Sequence, residues 1–328
     1  RSTFQDYDIC IGTGITPALF KKAKLQLDIF IPYSTGFEYV SWAASFKNKS
    51  PIYSILYGKI VKVFQIKGMK SATYIIAPTY DKLTKSVLKK YNITNVLNWW
   101  FPMLYINKNI SIPEKLNPIF EQHIQNKDFV LFSHTRHWWR HPHGKKNDLP
   151  IKAYAKFLKK TRFKAPILFL MEYGVDVPHT KVLISKLNIE RYVVWLPQMK
   201  RKDIMPLLNK VDLGFAEFHT GLWGGVTWEF LASGVPNINK IGAIAKQVML
   251  QHNTKLPPIV NASTESEILN IYLDYEKNPK KYKCIGRESK KWFDEMQGLK
   301  LSIKYKALIN ELYQKKKQVS IVSQGVNI

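Results

Sequence analysis

The stretch "HTRHWWRHPHGKKND", His134 to Asp148, crowds two arginines, two lysines and four histidines into one segment. Arginine offers a planar fork matched to phosphate oxygens, and lysine adds a compact positive charge. Arg136, Lys145 and Lys146 are therefore candidates for holding an anion such as a diphosphate. The histidines His134, His137, His141 and His143 invite a metal reading, but their spacing fits no ordinary ligand pattern and no carboxylate set accompanies them. They are read as packing or polar loop residues, and no metal is expected. Trp138 and Trp139 are read as packing groups or loop anchors.

A second stretch, "GLWGGVTWEFLASGVP" from Gly221 to Pro236, places glycines ahead of a helix-like run. Gly221, Gly224 and Gly225 let the backbone turn sharply and approach a ligand closely. A helix starting near Val226 turns the free N–H groups of the Gly224, Gly225, Val226 and Thr227 segment towards that ligand, with the positive end of its dipole behind them. Glu229 lies one turn further in. It reads either as a solvated surface carboxylate or as an acceptor for a vicinal diol, the role an acidic residue plays for ribose in dinucleotide folds. Taken together, the cations suit the phosphates of a nucleotide, the helix end supports them, and Glu229 suits the ribose.

These groups need a frame that brings strand ends together. Short apolar runs read as buried strands: "DICIG" (Asp8 to Gly12), "LDIFIP" (Leu27 to Pro32), "TYIIAP" (Thr73 to Pro78), "FVLFS" (Phe129 to Ser133), "PILFLM" (Pro166 to Met171), "YVVWLP" (Tyr192 to Pro197) and "VDLGFA" (Val211 to Ala216). Between them lie helical patterns such as "YDKLTKSVLKKYNI" and "LPIKAYAKFLKKT", the latter with Asp148 as a fair N-cap. Alternation of this kind predicts parallel sheets covered on both faces. The chain closes in helical signal from Glu265 to about Lys317. Two prolines, mixed charge and no clear strand between Asn107 and Lys127 suit a connection between domains. The expected organisation is an incomplete N-terminal domain over 1–110, a C-terminal domain over 125–300, and a helix and tail over 301–328 that packs back on the first domain. Ligands of such sheets bind at the carboxyl ends of the strands, and paired domains put a cleft there.

Composition narrows the function classes. The chain has 328 residues, of which 45% are hydrophobic, and 50 Lys and Arg against 24 Asp and Glu give a net charge of +26. That length allows two cores. The excess of cations favours acidic partners, or else a lysine-rich solvated surface. No zinc-finger, homeodomain or RNA-recognition pattern is present, so nucleic acid is not the expected partner. No apolar run reaches the roughly 20 residues of a membrane-spanning helix. The two cysteines, Cys10 and Cys284, make no disulfide framework, which points to a cytoplasmic setting. A start at Arg1 reads as a fragment or processed chain.

With these residues in view, the chain resembles a retaining GT-B glycosyltransferase of the family-4 type (glycosyl transferases group 1). The resemblance spans about Phe129 to Trp292, and more loosely Asp8 to Thr79. "FSHTRHWWRHPHGKKNDLPIKAYAKF" is similar to the family's strand, arginine and Lys-Gly loop, which puts Arg136 and Lys145 on its diphosphate-binding pair and Lys146 in the glycine's place. "YVVWLPQMKRKDIMPLLNKVDLGFA" resembles the loop that edges the nucleobase, with Pro197 at its start. "GLWGGVTWEFLASGVPNI" is similar to the glycine-led donor element, with Glu229 as the ribose-binding glutamate. The family carries a further glutamate eight positions earlier, facing the donor sugar; here Gly221 stands there, with Glu217 and His219 nearby but out of register. The family's N-domain histidine has no counterpart, since no His precedes His123.

The resemblance implies two Rossmann-like domains facing across a cleft and an EC 2.4, hexosyltransferase-like enzyme of glycan or polysaccharide biosynthesis. It implies transfer from a nucleotide sugar to a saccharide or lipid-linked acceptor with retention, without a metal or other cofactor. The alternatives are another GT-B enzyme, such as a sugar-nucleotide epimerase or phosphorylase, and a non-enzymatic basic protein that binds polyanions. One segment bears on the acceptor. "SPIYSILYGKIVKVFQIKGMK" places Tyr53, Leu56, Tyr57, Ile60 and Phe64 at helical spacing, interleaved with Lys59, Lys62, Lys67 and Lys70. It reads either as an ordinary packed helix or as a peripheral contact with an anionic membrane on its inner face.

Overall fold

The computed structural model describes residues 4, 6–32, 37, 40, 51–77, 79, 82–101 and 116–325, with side chains described throughout these except at 51–57, 82 and 319–325. Most of "IPYSTGFEYV", residues 107–115 of the expected connection, and the side chains of Tyr53, Leu56 and Tyr57 lie outside the described residues. The chain divides into two compact units, Arg1–Pro102 with Leu301–Ile328, and Met103–Lys300.

In the first unit, strands β1 (Ile11–Thr13), β2 (Ile29–Ile31), β3 (Tyr74–Ile76) and β4 (Val96–Leu97) form a parallel sheet in that order. Helices α1 (Thr16–Lys22), α2 (Pro51–Ser71) and α3 (Lys82–Lys90) alternate with them. Ile29, Phe30 and Ile31 are all buried because successive strand residues face opposite sides and both sides are covered. Phe30 and Ile75 pack with Phe20, Met69 and Val87 on one side. Ile29, Ile31 and Ile76 pack on the other against Leu301, Tyr305, Leu308 and Leu312 of the C-terminal helix α12 (Leu299–Gly325). Those four residues recur at helical spacing, so one stripe of α12 meets the sheet.

The pairing of α1 with α2 is close: a Cβ on Gly68 would stand 2.0 Å from the Pro17 carbonyl oxygen. That contact turns Val61, Gln65, Gly68 and Met69 inward and leaves Ile60 and Val63 exposed beside Lys59 and Lys67. Among the described residues, no helix is long and apolar enough to cross a membrane.

The second unit holds a six-stranded parallel sheet. Its strands are β5 (Phe129–Ser133), β6 (Pro166–Met171), β7 (Val193–Leu196), β8 (Leu213–Phe215), β9 (Asn237–Asn239) and β10 (Val260–Asn261), in the order β10-β9-β8-β5-β6-β7. After β7 the chain returns to the middle, and β8 lies against β5. This reversal of order is the place where open α/β sheets leave a crevice at their strand ends. Helices α4 (Pro118–Ile124), α5 (Asp148–Leu158), α6 (Val177–Lys186), α7 (Arg201–Leu208), α8 (Gly225–Ser233) and α9 (Ala243–Gln251) follow in sequence. The closing helical signal resolves into α10 (Glu265–Lys277), α11 (Pro279–Met296) and α12, with Pro279 opening the second of them. Helix α10 packs on α5, and α11 on α8.

Small differences from the sequence reading have local causes. The residue before α5 is Asn147, not Asp148, whose carboxylate instead pairs with Lys152 at 2.7 Å. Helix α8 begins at Gly225, one residue earlier than expected, and β1 begins at Ile11 rather than Asp8. Strand β9, "NIN", was not legible because its buried Asn237 and Asn239 are poor strand formers.

Candidate functional site

The loop between β5 and α5 is fixed by hydrogen bonds to the loop after β6. Asp176 Oδ2 accepts from the backbone N–H groups of Trp139 (2.7 Å) and Arg140 (3.0 Å). His137 N–H donates to the Tyr173 carbonyl at 2.7 Å, and Asp176 N–H donates to the His137 carbonyl at 3.0 Å. Thr180 Oγ1 gives its proton to the Asp176 carbonyl and accepts from Trp139 Nε1 at 2.9 Å. Its remaining lone pair faces His137 Nδ1 at 3.1 Å, which assigns the proton of that imidazole to Nδ1. Burial pushes His137 down to about 4, against smaller opposing effects of the Met171 backbone and Asp176, so the ring is neutral at neutral pH. His137 and Trp139 are thus anchors of the loop. Among the described residues, no three His, Cys, Asp or Glu side chains are grouped to hold a metal ion.

What this rigid loop presents is positive. Arg136 is exposed, lies over the Trp138 ring at 5.1 Å, and has no carboxylate partner among the described residues. Lys146 is half-buried and holds a left-handed backbone at φ 57°, the conformation glycine adopts most easily. Lys145 pairs its ammonium with the carboxylate of Glu217 in the loop after β8. The two loops are also joined through backbone, with Phe218 N–H donating to the Lys145 carbonyl at 3.1 Å.

Glu217 is buried, and its Oε1 accepts from Thr220 Oγ1 at 2.7 Å. Its other oxygen lies 3.6 Å from where a Cβ on Gly224 would stand, so the carboxylate sits beside the start of α8. Gly221 has φ 73° and packs against Gly242; it is a turn residue and brings no side chain to the site.

Helix α8 has an uncapped N-terminus. Gly224 supplies no side-chain cap and the first turn contains no acidic residue. The first N–H groups of a helix have no partner within it, and those of Gly225, Val226 and Thr227 have no acceptor among the described residues, which leaves partial positive charge there. Around Gly225 a Cβ would meet nothing within 4 Å, whereas Thr227 is buried with its hydroxyl 3.4 Å from Asn239 Oδ1. On the other face of the helix, a Cβ on Gly214 would stand 2.5 Å from the Phe230 ring, so β8 has a glycine where α8 lies closest.

Glu229, about 6 Å along the helix axis from Gly225, is held at both oxygens. His134 Nε2 donates to Oε2, and Arg201 Nε donates to Oε1 at 2.6 Å. Burial opposes its ionisation more than any single partner favours it. The bonds and charges of His134 and Arg201 together outweigh burial and hold the carboxyl below the ordinary range. Glu229 is therefore an ionised, fixed acceptor, not a free surface carboxylate. Pro197 is exposed directly after β7, and its loop leads into Arg201, which ties that loop to Glu229.

The structure thus joins Lys145 to the start of α8 through Glu217, and joins Glu229 to the end of β5 and the start of α7. Arg136 stands apart on Trp138. His134, Arg201 and Glu217 were not legible as partners, since they lie 95, 28 and 72 positions from the residues they contact.

No protein-family model and no curated protein matches the chain. Solved structures do. HepE from Anabaena in complex with UDP-glucose has a TM-score of 0.52 and 15% identity, over 97% of this chain and 80% of that one. WaaG, a glycosyltransferase involved in lipopolysaccharide biosynthesis, gives 0.53 and 15%, over 89% and 75%. Sucrose-phosphate synthase from Thermosynechococcus elongatus gives 0.53 and 11%, over 98% and 75%. Identity this low speaks to architecture alone: two parallel α/β sheets, of four and six strands, with a long C-terminal helix packed on the first, make a GT-B-like fold.

Proposed function

We propose that the chain is a glycosyltransferase that moves a sugar from a nucleotide-sugar donor to a saccharide or lipid-linked acceptor. The observation that carries this is the meeting of Lys145, the uncapped start of α8 and the ionised Glu229 at the adjoining carboxyl ends of β5 and β8. A cation and free N–H groups suit a diphosphate, and a fixed carboxylate one helical turn away suits a ribose diol. Arg136 and Lys145 hold the diphosphate, with Lys146 beside them. The N–H groups of Gly225, Val226 and Thr227 support it behind Gly224. Glu229 takes the ribose, and the loop from Pro197 edges the base. UDP-glucose bound to the fold-related HepE makes a uridine donor the first to try.

In the reaction the bond from the sugar's anomeric carbon to the diphosphate oxygen breaks, and the acceptor hydroxyl oxygen bonds to that carbon. We favour attack on the leaving group's own side, which retains configuration, with the departing phosphate taking the hydroxyl proton. Lys145 and Arg136 then stabilise charge that grows on the diphosphate, a preorganised electrostatic role. No protein nucleophile and no metal is assigned. Before this, Lys145 exchanges the Glu217 carboxylate for phosphate oxygen.

Besides the ordinary packed helix, α2 offers a second reading, contact with an anionic membrane surface that carries the acceptor, through Ile60 and Val63 exposed beside Lys59 and Lys67. Binding to anionic but not neutral vesicles, lost when Lys59, Lys62 and Lys70 become Glu, supports it; no binding at low salt makes the acceptor a non-membrane saccharide.

The deciding experiment measures thermal protection and calorimetric binding with UDP, GDP, ADP and their sugars, followed by product analysis with a labelled donor. Arg136→Ala and Glu229→Ala are each expected to weaken donor binding or turnover roughly tenfold to a hundredfold, the worth of one charge-assisted contact. Full activity in both variants sinks the assignment.

A further inference from the structure

His134 has no place in the donor-site reading so far, although it is the group closest to Glu229. Its ring is buried at the end of β5, stacked on Phe132 at 5.3 Å and edge-on to Phe230 at 5.2 Å. Rotation is blocked on both sides, so Nε2 stays aimed at Glu229 Oε2. Its Nδ1 is buried with no hydrogen-bond partner among the described residues. A carboxylate oxygen only accepts, so Nε2 carries a proton and donates to Glu229.

Glu229 has two oxygens with about four acceptor positions in all. His134 occupies one on Oε2, and Arg201 occupies one on Oε1. Among the described residues each oxygen is taken once, so each keeps one open position, and the two bonds fix the plane of the carboxylate. Two parallel acceptors on one rigid group match two adjacent hydroxyls and are only half used by a single one.

We propose that His134 and Arg201 are positioning residues that make Glu229 selective for an intact vicinal diol, so that the site takes ribonucleotides and rejects their 2′-deoxy counterparts. This rests on the reading of Glu229 as the ribose-binding carboxylate. Arg201 adds a second consequence. Its guanidinium is half exposed at the first residue of α7, directly after the loop that starts at Pro197, so base recognition and diol recognition share one side chain.

The test compares calorimetric affinities of the tightest binder among UDP, GDP and ADP with those of its 2′-deoxy form. Wild type is expected to prefer the ribonucleotide roughly tenfold to a hundredfold. His134→Phe keeps the ring contacts and deletes the donor. It is expected to bring the ratio below about threefold by weakening ribonucleotide binding, with the deoxynucleotide little changed. His134→Gln, which can still donate from a similar position, is expected to restore part of the ratio. Arg201→Met removes the cation from the buried Glu229 carboxylate and, measured under conditions where the variant is folded, is expected to lower the ratio too. An unchanged ratio in both His134→Phe and Arg201→Met overturns the inference. If Glu229→Gln abolishes the ratio in that case, the donor-site reading stands and only the positioning roles fail. If Glu229→Gln also leaves it unchanged, or no nucleotide binds the wild type, the donor-site reading falls and the inference with it.

Discussion

Asp28 and Glu229 are both buried carboxylates paired with a cation, one in each unit, and they are held for opposite ends. Asp28 Oδ2 accepts from Cys10 N–H and from Lys316 Nζ, each at 2.8 Å, while Oδ1 is sealed off with no partner among the described residues. Lys316 also donates to the Asp8 carbonyl at 2.8 Å, so one ammonium fastens α12 to the chain on either side of β1. Nothing remains for a ligand. Glu229 also uses both partners to fix itself, but its oxygens sit one turn behind an open helix start and keep acceptor positions to spare. Buried charge fastens an element where its capacity is closed off; where the capacity is fixed in direction but left over, as at Glu229, it is free to serve the recognition we propose.

Breaking the fastening is expected to have the largest effect on stability. Lys316→Met leaves Asp28 buried without its cation, a change worth about 3 kcal/mol and at the lower end for such pairs because Lys316 itself reaches water. Denaturant unfolding followed by tryptophan fluorescence measures it. Nucleotide binding in the second unit should be unaffected under conditions where the variant is folded. An equal loss for Lys316→Met and Glu229→Gln would erase the distinction between the two carboxylates.

Acid probes the second region. A histidine whose value is depressed in the folded state binds fewer protons folded than unfolded, so its contribution is complete above its ordinary value and is lost as the pH falls. For His137 the window runs from 6.5 down to about 4. With about 1.4 kcal/mol per pH unit, roughly 2 kcal/mol is expected to be gone by pH 5. Glu229 follows the same direction lower down: its lowered value keeps its contribution above the ordinary carboxylate range, and the contribution disappears as pH falls through the folded-state value. His137→Leu should flatten the loss between pH 6.5 and about 4, while leaving the loss that belongs to the carboxylates. A wild-type stability that is level across this window would mean the β5–α5 loop does not hold His137 neutral.

Glu217 sharpens the comparison at a smaller scale, for it is a third buried carboxylate that both fastens and competes. It holds Lys145, the cation we propose for the phosphate, beside the start of α8. Glu217→Gln should release that ammonium and remove a negative charge next to the diphosphate position. Nucleoside diphosphate is then expected to bind severalfold tighter, on the order of 1 kcal/mol. Weaker binding would show instead that Glu217 orients Lys145 for the ligand.

How much of this was legible beforehand follows from the range of the forces. Strands β5 and β6 were read to the residue because they are continuous apolar runs, buried along their whole length. The two-residue β4 and β10 carry too little pattern to register, and β9 is disguised by asparagines that the core accommodates. In the site, Arg136, Lys145 and Glu229 stood out by residue type next to glycines and strand ends. Their partners did not, because the fold, not local spacing, brings His134 to Glu229 and Glu217 to Lys145. Sequence located the charges, and only the packed sheet shows which of them are already engaged.

The smallest effect concerns which of two adjacent lysines acts. Lys146 pays a steric cost for its φ of 57°, about 1 kcal/mol for a residue with a Cβ. Glycine relieves that cost but gains freedom in the unfolded chain, worth roughly 0.5–1 kcal/mol in the other direction. Lys146→Gly is therefore expected to change stability by less than about 0.5 kcal/mol. Lys146→Val, branched at Cβ in the same left-handed position, should cost more than about 1 kcal/mol. Binding then separates the two neighbours. If Lys145 is the phosphate cation, Lys146→Gly keeps nucleotide affinity to within about twofold, whereas Lys145→Ala loses roughly tenfold or more. Glycine adopts the same left-handed turn at this position, so the variant should preserve the path of the loop at Lys145. A large loss of affinity in Lys146→Gly, with Lys145→Ala nearly silent, would reverse the assignment and make the engaged lysine the structural one.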